Sequence, residues 1–142
     1  MRTPAFLPVL LWVFAASLGA QVVPGDARME AYLPQLEGQR VGVVCNHTAR
    51  IASAGGGTVH LIDTLMGAGV NVAAAFGPEH GFRGDLPDGA HADDGTDPKT
   101  GIPVHSLYGT HKKPTAAQLA GLDVVLFDIQ DVGVRCYTYL ST

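Results

Sequence analysis

The chain has 142 residues, 46% of them hydrophobic and 15% charged, with a formal net charge of −4. That length suits one domain with a proper core, and the composition excludes a disordered polymer. An acidic balance with no Lys/Arg run excludes non-specific nucleic-acid binding.

Residues 1–20 read as a signal peptide. Arg2 supplies a thin positive start, residues 7–18 an apolar core, and Leu18-Gly19-Ala20 offers small residues for cleavage. The apolar run is shorter than a bilayer-spanning helix needs, and no cysteine follows it, so no stable membrane anchor is expected. The alternative is a buried N-terminal helix, but no polar face interrupts the run, which favours export to a secreted or periplasmic location.

Residues 21–37 lead into the domain. Met29, Leu33 and Leu36 fall on one helical face, which Pro34 interrupts. Residues 40–45 form a short, nearly all-apolar strand, as in a sheet covered on both faces, and end in Asn46-His47-Thr48. This triplet also matches the N-glycosylation pattern, discounted because Asn46 sits at a strand end. Gly55-Gly56-Gly57 precedes a helix that places Val59, Ile62, Leu65 and Met66 on one face. Without a Gly-Lys-Thr/Ser ending or GxGxxG, the glycines read as a surface loop rather than a phosphate cradle.

Residues 70–76 form the second strand and run into Phe76-Gly77-Pro78-Glu79-His80-Gly81-Phe82. Residues 83–101 follow as a long polar loop carrying Arg83, Asp85, Asp88, Asp93, Asp94, Asp97 and Lys99. The EF-hand order is absent, so the loop reads as a solvated lid or rim. Residues 102–108 form a third strand, an outer one because Pro103 serves a central strand badly. Thr115 with Gln118 is a capping box for a helix that Gly121 ends. Residues 122–127 form the fourth and clearest strand, delivering Asp128, Gln130 and Asp131, then Gly133 and Arg135, before a further helix at Tyr137-Thr138-Tyr139. The alternation β-α-β-loop-β-α-β predicts an α/β fold, a Rossmann-like parallel sheet with flanking helices over residues 38–142. It is expected to be cut short at the C-terminal end, since a doubly wound sheet has more strands.

Titratable groups past the C-terminal ends of buried strands sit where open α/β sheets bind ligands. Glu79, between Phe76 and Phe82, is partly desolvated, which raises a carboxyl pKa and suits a general acid. Asp128 or Asp131 supplies a second carboxylate, and a pair across a scissile bond is the equipment of glycoside hydrolysis. Asp128 equally fits a structural role, capping the next helix or pairing with Arg135. His80 stands either in support of Glu79 or in contact with substrate. Arg135 suits a substrate carboxylate, and Tyr137 and Tyr139 suit stacking on a sugar. His80, Glu79, Asp128 and Asp131 are suitable metal-ligand types, but no HExxH or comparable spacing occurs, so a metal hydrolase rests on composition alone and no metal or cofactor is expected; the absence of GxSxG argues against a Ser/His/Asp triad. Cys45 and Cys136 either pair, as an oxidising compartment permits, or remain two buried thiols.

Val41-Gly42-Val43-Val44, Asn46-His47-Thr48, residues 76–84, residues 97–104, Ser106-Leu107-Tyr108-Gly109 and residues 127–135 resemble the N-terminal part of the bacterial exo-β-N-acetylmuramidases. The resemblance covers residues 38–142. It implies release of N-acetylmuramic acid from the non-reducing ends of peptidoglycan fragments. It also implies a Rossmann-like domain followed by a smaller second domain that these residues do not include, with the site in the cleft between them. Glu79 maps to the glutamate of the family's PEHGF motif, and Asn46, His80, Asp128, Asp131, Arg135, Tyr137 and Tyr139 to other motif positions. Cys45 and Cys136 depart from the pattern, standing where a Thr or Ser and an apolar or aromatic residue are expected. A non-catalytic peptidoglycan- or carbohydrate-binding module is the alternative reading.

Overall fold

In the computed structural model, the described residues are 22–78, 81–84, 94–134 and 139. The expected signal segment and Cys136 lie outside them.

Helix α1, Met29–Leu36, forms despite Pro34, which stays exposed, and it turns Leu36 into the core. Strand β1, Arg40–Cys45, has the expected bounds and is buried from Val41 onward. The next stretch departs from expectation. Strands β2, Arg50–Ala52, and β3, Thr58–His60, pair antiparallel as a separate hairpin. The three glycines belong to its turn, where Gly56 and Gly57 adopt positive φ at little cost. Val59 is therefore a strand residue, and helix α2 begins two residues later, spanning Leu61–Gly67.

Strand β4 is Asn71–Gly77, β5 the two-residue Gly95–Thr96, and β6 Pro103–Ser106. Helix α3, Ala116–Leu119, carries the expected capping box, and strand β7, Val124–Asp128, follows. The main sheet has the order β5-β6-β4-β1-β7. Strands β6, β4, β1 and β7 are parallel, and β5 adds a short antiparallel edge to what the sequence suggests is an all-parallel sheet. Pro103 is tolerated because it is the first residue of β6.

One face of the sheet buries Val41, Val43 and Cys45 with Leu61, Ile62, Leu65 and Leu36. The other gathers Val44, Ala74, Phe76, Leu107 and Ile129. Fully burying a side chain such as Phe76 or Ile62 contributes about 1.5–3 kcal/mol. Gly42 permits this second face to close, because a Cβ there would lie 2.7 Å from Leu122 Cδ1 and 3.0 Å from the Phe76 ring. The second face thins over β7, where Val125 and Phe127 are 45% and 46% exposed.

Candidate active site

From β1 the chain steps outward to β4 and β6, then returns to add β7 on the opposite side of β1. The direction of winding therefore reverses at β1. A crevice opens beyond the strand ends at such a point in an open α/β sheet. The register brings the ends level: Val44 pairs with Phe76 and Phe127, and Cys45 with Asp128. Asn46, Gly77 and Asp128 thus share one edge; the sequence reading sets Asn46, Glu79 and Asp128 there, and Glu79 lies outside the described residues.

Asn46 is 1% exposed. Its Oδ1 accepts hydrogen bonds from the Thr48 N–H at 2.9 Å and the Thr48 hydroxyl at 2.6 Å, which turns the chain sharply out of β1. Thr48 Oγ1 accepts in turn from the Gln130 N–H at 3.1 Å, tying the segment after β1 to that after β7. Asp131 is engaged locally, accepting from the Gly133 N–H at 2.7 Å. Tyr139 packs against the second core face.

Asp128 is half-buried, and its Oδ2 has no hydrogen-bond partner among the described residues. Burial and the negative charge of Asp26 push its carboxyl above the ordinary value. It lines a cleft of about 590 Å³ with Asp26, Tyr32, Thr48, Arg50 and Gln130. An unpartnered, easily protonated carboxyl in a cleft can exchange a proton with a ligand or hydrogen-bond to it.

Glu79, His80, Arg135 and Tyr137 lie outside the described residues. The positions around Glu79 and His80 are closely held. The Gly81 N–H donates to Pro78 O at 3.1 Å, and the Leu107 N–H to Gly77 O at 2.8 Å. A Cβ on Gly77 would lie 2.9 Å from Phe82 N, so only glycine lets the chain fold back this closely.

Two groups of residues at the site went unnoticed in the sequence. His60, which no sequence signal singles out, is 4% exposed and sits between the end of β1 and the segment after β4. The second group corrects the reading of residues 83–101 as a solvated rim. Arg83 donates from Nε and Nη2 to the two oxygens of Asp97, at 2.8 and 2.7 Å, and from Nη1 and Nη2 to those of Asp63, at 3.2 and 2.9 Å. Lys99 Nζ joins Asp63 at 2.6 Å, and the Asp97 side chain is fully buried. The described parts of that stretch, 83–84 and 94–101, are therefore anchored to α2 by fork-to-fork ion pairs. Spacing could not reveal them, because Asp63, Arg83 and Asp97 are far apart in the chain. Among the described residues, no three His, Cys, Asp or Glu side chains converge as a metal site.

A family model described as "Exo-beta-N-acetylmuramidase NamZ, N-terminal" matches residues 41–142. The chain belongs to the NamZ N-terminal family. It is 42% identical over 118 residues to the "Peptidoglycan beta-N-acetylmuramidase NamZ" of Bacillus subtilis (strain 168), covering 82% of this chain and 28% of that protein. Two crystal structures of DUF1343 family proteins from Bacteroides fragilis NCTC 9343 superpose with TM-scores of 0.65 and 0.62 at 44% and 39% identity. These matches cover 79% and 81% of this chain and 27% of each neighbour. The chain thus spans a little over a quarter of the length of the relatives it matches, and it carries the NamZ N-terminal segment with its α/β sheet.

Proposed function

We propose that this chain forms part of a glycoside hydrolase that releases N-acetylmuramic acid from the non-reducing ends of peptidoglycan fragments. The observation that carries the reading is the 42% identity to a peptidoglycan β-N-acetylmuramidase. The sheet supports it chemically, since β4, which ends at Gly77 two residues before Glu79, and β7, which ends at Asp128, lie on either side of β1.

Glu79 acts as the general acid, protonating the glycosidic oxygen as the bond to the leaving sugar breaks. Asp128 is the second carboxylate. The ends of β4 and β7 stand two strand spacings apart, roughly 10 Å. That backbone span exceeds the carboxyl separations of about 5–9.5 Å used by glycosidases only slightly, a difference within the reach of carboxylate side chains. Arg135 pairs with the lactyl carboxylate of muramic acid, and Tyr137 and Tyr139 contact the sugar. His80 and Asp131 shape the rim, and the buried Asn46 holds Thr48 behind it. The site is completed by a second domain, and the protein works outside the cytoplasm after export through residues 1–20.

The test compares residues 21–142 with the complete polypeptide encoded by the gene. Each is given a chromogenic β-N-acetylmuramic acid glycoside and its N-acetylglucosamine counterpart. Release from the muramic substrate alone, lost in Glu79→Gln, is expected. Binding without turnover, unchanged by Glu79→Gln, would replace the hydrolase with a peptidoglycan-binding module.

A further inference from the structure

We propose that His60 is a positioning residue for the Glu79-bearing segment, a single shared donor that clamps the end of β1 to the backbone just beyond the turn after β4. The inference rests on the proposed role of Glu79.

The tautomer follows from the hydrogen bonds. The Ile62 N–H donates to His60 Nδ1 at 3.3 Å, so Nδ1 is an acceptor and the ring proton resides on Nε2. Nε2 lies 3.1 Å from the carbonyl oxygen of Asn46 and 3.2 Å from that of Phe82. One N–H is thus shared between two carbonyls on different segments. Asn46 is the first residue past β1, and Phe82 stands three residues past Glu79. The ring also meets Phe82 edge-on, with centroids 5.4 Å apart and planes at 88°. Burial holds the imidazole pKa below its ordinary value, so the neutral tautomer persists at pH 7.

The remaining restraints act nearby but do not substitute for this one. Gly81-to-Pro78 and Leu107-to-Gly77 hydrogen bonds and the Arg83 ion pairs to Asp63 and Asp97 also hold this region, yet none of them reaches the residues past β1. Among the bonds described here, His60 alone reaches from the β1 end to Phe82. It therefore sets where Phe82 stands relative to Asn46. A displacement of about 1 Å at a catalytic group costs on the order of a hundredfold in rate.

The histidine's two functions can be separated by substitution. His60→Asn keeps an acceptor able to cap α2 but is too short to reach either carbonyl. His60→Gln keeps an N–H donor at about the reach of Nε2. Amide hydrogen exchange is measured in the 142-residue chain, and kinetics with muramic substrate in the complete polypeptide, with Glu79→Gln alongside. In His60→Asn, exchange at residues 81–84 is expected to quicken at least about tenfold while residues 61–67 stay protected. The same variant is expected to lose roughly 10- to 100-fold in kcat, with KM within about threefold, and His60→Gln to restore both. Unchanged exchange at 81–84 in His60→Asn, wild-type kcat in that variant, or equal impairment in His60→Gln would each overturn the proposal. If Glu79→Gln retains turnover, or the wild type shows none, the acid assignment fails by itself, and the exchange measurement still decides the clamp.

Discussion

Replacing Arg83 with methionine tests whether the segment after the Glu79 turn is anchored by charge. Methionine keeps the apolar contact with the Phe82 ring, over which the guanidinium carbon sits 4.7 Å from the centroid. It removes four charge-assisted hydrogen bonds, two to Asp97 and two to Asp63. Asp63 keeps Lys99, so its loss is modest. Asp97 is left fully buried with Thr100, through its backbone N–H and hydroxyl, and the Lys99 backbone as remaining partners. Breaking a buried pair by removing one partner costs about 3–5 kcal/mol, and the surviving Thr100 contacts place this case near about 3 kcal/mol. Against a typical total of about 5–15 kcal/mol, that is a large loss. Urea denaturation at pH 7 would show it as a midpoint lowered by roughly 1–3 M. The pH dependence gives a second check. Arg83 holds the Asp97 carboxyl far below its ordinary value of 3.8, and it also helps to hold Asp63 down against the effect of burial. A depressed carboxylate contributes stability that is complete above its unfolded pKa and lost as pH falls toward the folded one. The gap between wild type and variant should therefore be full above about pH 5 and shrink as pH falls through 4 toward 2. A difference under about 1 kcal/mol at pH 7, or one that does not shrink at pH 3, would refute the reasoning.

Gly77→Ala puts a Cβ 2.9 Å from Phe82 N and 3.2 Å from Phe82 Cβ, contacts that no rotamer change relieves. It should cost about 1–3 kcal/mol in thermal unfolding and lower turnover as well. Gly42→Ala should cost less in the same assay, since the nearest atom it meets is the Leu122 methyl at 2.7 Å. Thr115→Ala removes the acceptor of the Gln118 N–H at 3.3 Å and should lower stability by about 1 kcal/mol in chemical denaturation. Asp128→Asn should stabilise the fold at neutral pH, because a carboxyl raised by burial and by Asp26 is strained when ionised. That gain should fade as pH falls through the raised folded value and be gone below the ordinary value of 3.8, and turnover should fall throughout if Asp128 acts in the reaction.

The parallel strands were legible because their signals are local. Val41 to Cys45 and Val72 to Phe76 are apolar runs bounded by polar residues or glycine, and the Thr115–Gln118 box announces α3 directly. The β2–β3 hairpin was missed because Val59, Ile62 and Leu65 mimic a helical face, while Val59 in fact pairs with Ile51 across a glycine turn. The strand ends bearing Asn46 and Asp128 could be read, since position at a strand end follows from the strands themselves. His60 and the Asp63–Arg83–Asp97 cluster could not. Their partners are distant in the chain, and a polar residue between apolar ones looks solvated until its partner is known. The reach of each bond, 14 residues from His60 to Asn46 and 20 from Arg83 to Asp63, exceeds any motif window.

Cys45, the last residue of β1 between β4 and β7, is a free thiol with no exposed surface. Burial, and then the charge of Asp128, push its pKa far above the ordinary thiol value. The thiolate is the reactive form, so the folded molecule hides this atom twice, from reagents and from ionisation. The side chain consequently behaves as a clock. An alkylating reagent can mark it only when the packing around β1 opens, and where marking outpaces reclosing the rate of marking becomes the rate of that opening.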